Sequence, residues 1–176
     1  QGHKYSKSSK NFEPPQKMLE QYGAEILRLW VAAVDYKGDI TLSDEILKRV
    51  ADAYRKIRNT FRFMLGNVSD FNPADAVDYD DLCDIDKWVL HRAAEAVERI
   101  EEAYESYQFH TIYHTLVQFM TVDLSSVYMD VTKDRMYCEA PNSQARRAGQ
   151  TAYWSVLHTL VRAVAPILSF TSEEVW

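Results

Sequence analysis

The chain has 176 residues, 47% of them hydrophobic, with only 5 Gly and 5 Pro and a formal net charge of −6. That is enough apolar chain for one domain with a sizeable core, and the scarcity of turn formers argues against a β-rich or disordered fold. No apolar run is long enough to span a bilayer and no secretory signal pattern opens the chain, so no membrane partner is expected. The charge is segregated: residues 1–62 carry 12 Lys+Arg against 8 Asp+Glu, and residues 70–105 carry 3 against 12. An acidic whole with a basic part is compatible with a specific anionic partner and argues against nonspecific coating of nucleic acid. Cys83 and Cys138 fit no metal or redox spacing and are read as reduced thiols of a cytoplasmic protein.

Residues 1–13, QGHKYSKSSKNFE, form a polar loop with Lys4, Lys7 and Lys10 three apart. Such a loop can wrap its ammonium groups around phosphate oxygens, and a disordered basic tail has the same composition. Pro14-Pro15 starts a helical connector over residues 14–42. Met18, Leu19, Tyr22, Ile26, Leu27, Leu29, Trp30 and Val31 make it apolar on more than one face, and Gly23 is expected to break it into two short helices.

Ser43 to about Asp70 reads as an amphipathic helix of about seven turns. Leu47, Val50, Ala53, Tyr54, Ile57, Phe61, Met64 and Leu65 repeat at steps of three and four. Ser43 is the expected N-cap, with Asp44 and Glu45 favoured in the first turn by the helix dipole. The opposite face is rich in donors. Lys48, Arg49, Arg55, Arg58, Asn59 and Arg62 are the candidate RNA contacts, and Lys56 lies among them. A solvated surface is the plain alternative for this face, and Arg58 and Asn59 are also candidates for pinning neighbouring helices.

Residues 69–82, SDFNPADAVDYDDL, make an Asp-rich loop without the central Gly and terminal Glu of a calcium site. A second long helix follows from about Asp84 to Tyr107, its outer face carrying Glu95, Glu98, Glu101, Glu102 and Glu105. That face should turn away from RNA. A third runs from Phe109 to about Tyr137. His110 and His114 stand one turn apart there, too few to read as a metal site, and Asp123, Ser125 and Ser126 need partners if buried. A fourth runs from Gln144 to about Ala165. Arg146 and Arg147 stand at its start, unfavourably for the dipole; solvation or an external anion is expected for them. Thr171 to Glu174 has capping-box spacing, with Thr171 as N-cap of a last helix. The fold class is therefore all-α: an antiparallel bundle of about four long helices over residues 43–176, preceded by the connector and the loop. Gln1 and Trp176 are expected to be cut points inside a longer chain. No nucleophile–base constellation, Gly-rich phosphate loop or zinc ligand set is present, and no metal site is assigned.

Four stretches in order resemble one family. Lys4-Tyr5-Ser6-Lys7-Ser8 resembles the KMSKS loop of class I aminoacyl-tRNA synthetases, with Tyr5 where Met is usual. Residues 22–31, YGAEILRLWV, resemble the segment that follows that loop. Residues 121–137, TVDLSSVYMDVTKDRMY, are similar to the anticodon-binding domain of the isoleucyl-tRNA synthetase family, and residues 165–176, APILSFTSEEVW, to the end of the same domain.

The resemblance implies a longer enzyme, an isoleucine–tRNA ligase, that uses ATP and Mg²⁺ to make isoleucyl-adenylate and charges isoleucine tRNA. In that enzyme Lys4, Ser6, Lys7 and Ser8 would form the mobile loop stabilising the triphosphate. Its catalytic Rossmann and editing domains lie upstream of this stretch. These 176 residues alone are expected to be inactive, to bind no cofactor, to be monomeric, and to hold the anticodon stem-loop. The alternative is a structural or protein-interaction helical bundle without RNA binding, for which the Lys-x-Ser-Lys-Ser loop has no use.

Overall fold

A computed structural model describes residues 14–176. Pro14 and Pro15 open α1 (Pro15–Tyr22), where a missing N–H costs nothing. Gly23 ends it with φ +82° and ψ 165°, a conformation reserved in practice for glycine, and α2 (Ala24–Ala33) leaves at a new angle. The break expected at Gly23 is therefore present.

The basic helix is α3 (Asp44–Asn67), and Ser43 caps it by accepting from the Ile46 N–H at 3.2 Å. Its buried face is Leu47, Val50, Ala53, Ile57, Phe61 and Met64, the expected stripe, joined by Thr60 and Asn67. The two buried polar side chains bond back to carbonyls one turn earlier, Thr60 to Lys56 and Asn67 to Phe63, both at 2.9 Å.

The Asp-rich loop carries two single 3₁₀ turns, Pro73–Asp75 and Tyr79–Asp81, and leads into α4 (Asp84–Glu105). α4 ends without glycine. Tyr107 takes φ 55°, Gln108 N donates to Ala103 O at 2.8 Å and Tyr107 N to Tyr104 O at 3.1 Å, the paired bonds of a Schellman cap. The third long helix begins as α5 (Phe109–Gln118), continues without a break as a π-helical segment (Phe119–Met129), and finishes as α6 (Asp130–Cys138). Next come α7 (Gln144–Val164), capped by Ser143, and the short α8 (Ser169–Val175).

Helix α7 is the spine: Ala152, Tyr153, Val156, Leu157, Leu160, Val161 and Val164 are buried along it. They meet Val89, Ala93 and Ala96 of α4, Leu116, Phe119, Met120, Leu124 and Tyr128 of the third helix, and the inner face of α3. Ile26 and Leu29 of α2 belong to the same core, so the connector packs into the bundle.

Two expectations at the chain's end are corrected. Thr171 is not an N-cap: α8 already begins at Ser169, and Thr171 is buried inside it. The cap comes from α2, where the buried Glu25 carboxylate accepts from Phe170 N (3.3 Å), Thr171 N (3.2 Å) and Thr171 Oγ1 (2.7 Å). One turn along α2, Arg28 donates to Ile167 O (2.8 Å) and Pro166 O (2.7 Å), so one face of α2 clamps both sides of the α7–α8 turn. Arg146 and Arg147 are not solvated either; both guanidinium groups are largely covered. Arg146 grips the Asp70 carboxylate at 2.7 and 3.0 Å and the Met136 carbonyl at 3.2 Å, while Arg147 reaches Asp70 O, Gln150 and Asn142. They tie the loop after α3 and the end of α6 to α7, which offsets their unfavourable place on the helix dipole.

Candidate nucleic-acid interface

The exposed face of α3 sorts its donors by what already neutralises them. Lys48 pairs with Asp44 one turn earlier at 2.6 Å, Arg49 with Glu45 at 2.5 Å and Arg55 with Asp52, all well exposed. The Asp44 carboxylate is held below its usual range by Lys48 and by the Tyr22 hydroxyl. Arg58 lies on the flank turned towards α8. It takes both oxygens of Glu174, one at 2.6 Å, and its charge is reinforced by that carboxylate and by the Tyr54 hydroxyl. Tyr54 in turn shares a 2.9 Å hydrogen bond with Thr171, so Arg58 pins α3 to α8.

Asn59, Arg62 and Lys56 differ. Among the described residues none of these three side chains has a hydrogen bond or an ion pair, and all three are exposed. They border two clefts that share Asn59, Phe63 and Tyr137 as common walls. The larger, about 810 Å³, lies between α3 and the π-helical segment with α6; Lys56, Asn59 and Thr60 line one side, and Val122, Ser125, Met129 and Lys133 the other. The smaller, about 420 Å³, continues along α3 past Arg62, Gly66 and Asn67. Tyr137 stands 66% exposed at their junction, and Phe63 meets its ring edge-on at 6.5 Å.

The π-helical segment shapes this cleft. Its wider turn shows in the Ser126 hydroxyl, which donates to Thr121 O five residues back at 2.8 Å. On the other flank of the same segment Asp123 faces α4 and pairs with Arg92 at 3.4 Å. Sequence periodicity marks this stretch only as helical, and its role in the cleft is absent from that signal. Lys133 and Tyr137 sit at the helix end, where the apolar stripe carries no instruction about them.

A buried polar network joins α4, the π-helical segment, α6 and α7. Asp86 is fully buried, accepts from the Tyr128 hydroxyl at 2.6 Å and is gripped through both oxygens by Arg135. Burial opposes the Arg135 charge, but the Asp86 carboxylate outweighs it and raises its pKa. The Tyr153 hydroxyl, pushed up to about 12 by burial, shares a 2.9 Å bond with Thr132.

Lys4, Ser6, Lys7 and Ser8 lie outside the described residues. No group of three or more His, Cys, Asp or Glu that could hold a metal occurs among the described residues, and His114 instead meets Tyr113 edge-on at 5.2 Å. No helix among them is long and apolar enough to cross a membrane.

A family model described as the anticodon-binding domain of tRNA ligase matches residues 86–176, and one for class I tRNA synthetases (I, L, M and V) matches residues 1–43. The chain is 52% identical over its whole length to the isoleucine–tRNA ligase of Symbiobacterium thermophilum and 51% identical to that of Brevibacillus brevis. It spans about 19% of the length of each. Its fold matches, with a TM-score of 0.77 over 99% of this chain and 20% of the other, a chain in the crystal structure of the LeuRS–tRNA–LeuAMS ternary complex of Agrobacterium radiobacter K84 agnB2, at 19% identity.

Proposed function

Since this chain belongs to the anticodon-binding domain family of tRNA ligases, we propose that it is the part of an isoleucine–tRNA ligase that holds the anticodon stem-loop of isoleucine tRNA. The observation that carries this reading is the cleft beside α3, where Lys56, Asn59 and Arg62 present donors that no group among the described residues satisfies. Unspent donors around an exposed aromatic ring suit a phosphate backbone with unstacked bases. Identity near 50% to isoleucine–tRNA ligases supports the choice of amino acid.

Asn59 and Arg62 are the proposed direct contacts of the expected set. Lys48, Arg49, Arg55 and Arg58 are proposed to contribute by exchanging a carboxylate for a phosphate, which returns less net free energy because a pair is given up. Residues 1–13 are proposed as the triphosphate-stabilising loop of the catalytic domain, acting through Lys4, Ser6, Lys7 and Ser8, residues 14–42 as the connector and residues 43–176 as the RNA-binding bundle. The parent enzyme is proposed to be a cytoplasmic monomer that activates isoleucine with ATP and Mg²⁺. The 176 residues alone should show only background ATP–pyrophosphate exchange with isoleucine.

Titration of the chain with isoleucine tRNA and with an unrelated tRNA tests the reading. Tighter binding of the isoleucine tRNA, weakening steeply with salt, is the expected result. Equal affinity for both would remove the claim of selectivity, and no binding to either would leave a structural bundle.

A further inference from the structure

Resting on that reading, we propose that Tyr137, Phe63 and Asn59 form a pocket for a single unstacked base of the anticodon loop, with Lys56, Lys133 and Arg62 around its rim holding the flanking phosphates. These side chains come from α3 and the far end of the third helix and meet only at the junction of the two clefts.

The Tyr137 ring is 66% exposed although it is large and apolar, and it meets Phe63 edge-on. Phe63 is itself held by Tyr153 at 6.3 Å, so the platform is anchored to the core. An exposed aromatic ring packed edge-on against a second ring offers a face on which a base can stack. Asn59, without a partner among the described residues, presents a donor and an acceptor side by side, the complement of an adenine edge. Among the described residues Lys133 is paired only with the neighbouring Asp130, at 2.9 Å, and both are exposed. A cleft of about 810 Å³ has room for one nucleotide.

The test uses the 176-residue chain and stem-loop RNAs carrying the isoleucine anticodon, intact or abasic at one loop position at a time. Tyr137→Ala alters an exposed residue, and an unchanged thermal transition checks that it folds. It should weaken binding of the intact stem-loop about ten- to a hundredfold. One abasic RNA, lacking an adenine, should weaken wild-type binding equally and show no further loss with Tyr137→Ala. Asn59→Ala should reduce the preference for adenine at that position. If wild-type chain binds the stem-loop but Tyr137→Ala binds it equally well, the pocket is wrong and the functional reading survives. If every abasic RNA suffers the same additional loss from Tyr137→Ala, no single base occupies the pocket. If wild-type chain binds no stem-loop at all, the functional reading falls and takes this inference with it.

Discussion

The deepest commitment at the residue scale is the pair Asp86–Arg135. A carboxylate with no solvent exposure has surrendered its hydration and depends on one guanidinium and the Tyr128 hydroxyl. Arg135→Met should therefore destabilise the bundle by about 3–5 kcal/mol in urea unfolding, because Asp86 would remain buried without its partner. Gly149 guards the same spot: a Cβ there would sit 2.9 Å from Met136 Sδ and 3.2 Å from the Arg135 guanidinium. Asp70 gives a pH signature. The Arg146 hydrogen bond is the main cause that lowers its pKa from 3.8 to about 2; burial opposes it, and a lesser bond from Gln150 and the Arg146 charge assist it. Its contribution is thus complete above about pH 4 and is lost as pH falls through about 2. In an acid titration Asp70→Asn should be less stable than wild type at neutral pH, and the difference should shrink below about pH 4 and vanish below about pH 2. A constant difference across that range would contradict the assignment.

The elements show which parts of this architecture the sequence carries openly. The α3 stripe, the Ser43 cap and the Gly23 break are all legible because local rules decide them: helical period, an oxygen at the N-cap, a conformation only glycine tolerates. Gly23→Ala should cost about 1–3 kcal/mol in chemical denaturation even though space for the methyl is open, since φ +82° is the obstacle. The start of α8 is illegible for the opposite reason. Its cap, Glu25, stands 145 residues from Phe170 in sequence, so Thr171 with its capping-box spacing is a false local signal. Arg146 and Arg147 mislead in the same way, their partners lying on another helix end and another loop. Glu25→Ala should lower stability by roughly 2–3 kcal/mol, the scale of charged hydrogen bonds lost together with a helix cap. An unchanged melting transition in that variant would show that α8 does not depend on α2.

For the whole molecule, the candidate site was half legible. Charge segregation points to α3, and helical period identifies its exposed face. Neither tells which of those cations is already neutralised, because Asp44, Glu45 and Asp52 are local partners whose side chains can turn elsewhere, and Glu174 arrives from the far end of the chain. Only the packing of α3 against the π-helical segment and α6 sets Lys56 and Arg62 on the cleft and adds Lys133 and Tyr137 to them. If this cleft binds RNA phosphate, the salt dependence of binding must carry its signature. The logarithm of affinity for the anticodon stem-loop should be measured against the logarithm of salt concentration for wild type and for the double variant Lys56→Ala/Arg62→Ala. Weaker binding and a slope shallower by roughly 1.5, two phosphate contacts' worth, are expected in the double variant. Wild-type affinity with an unchanged slope in that variant would contradict phosphate binding in this cleft.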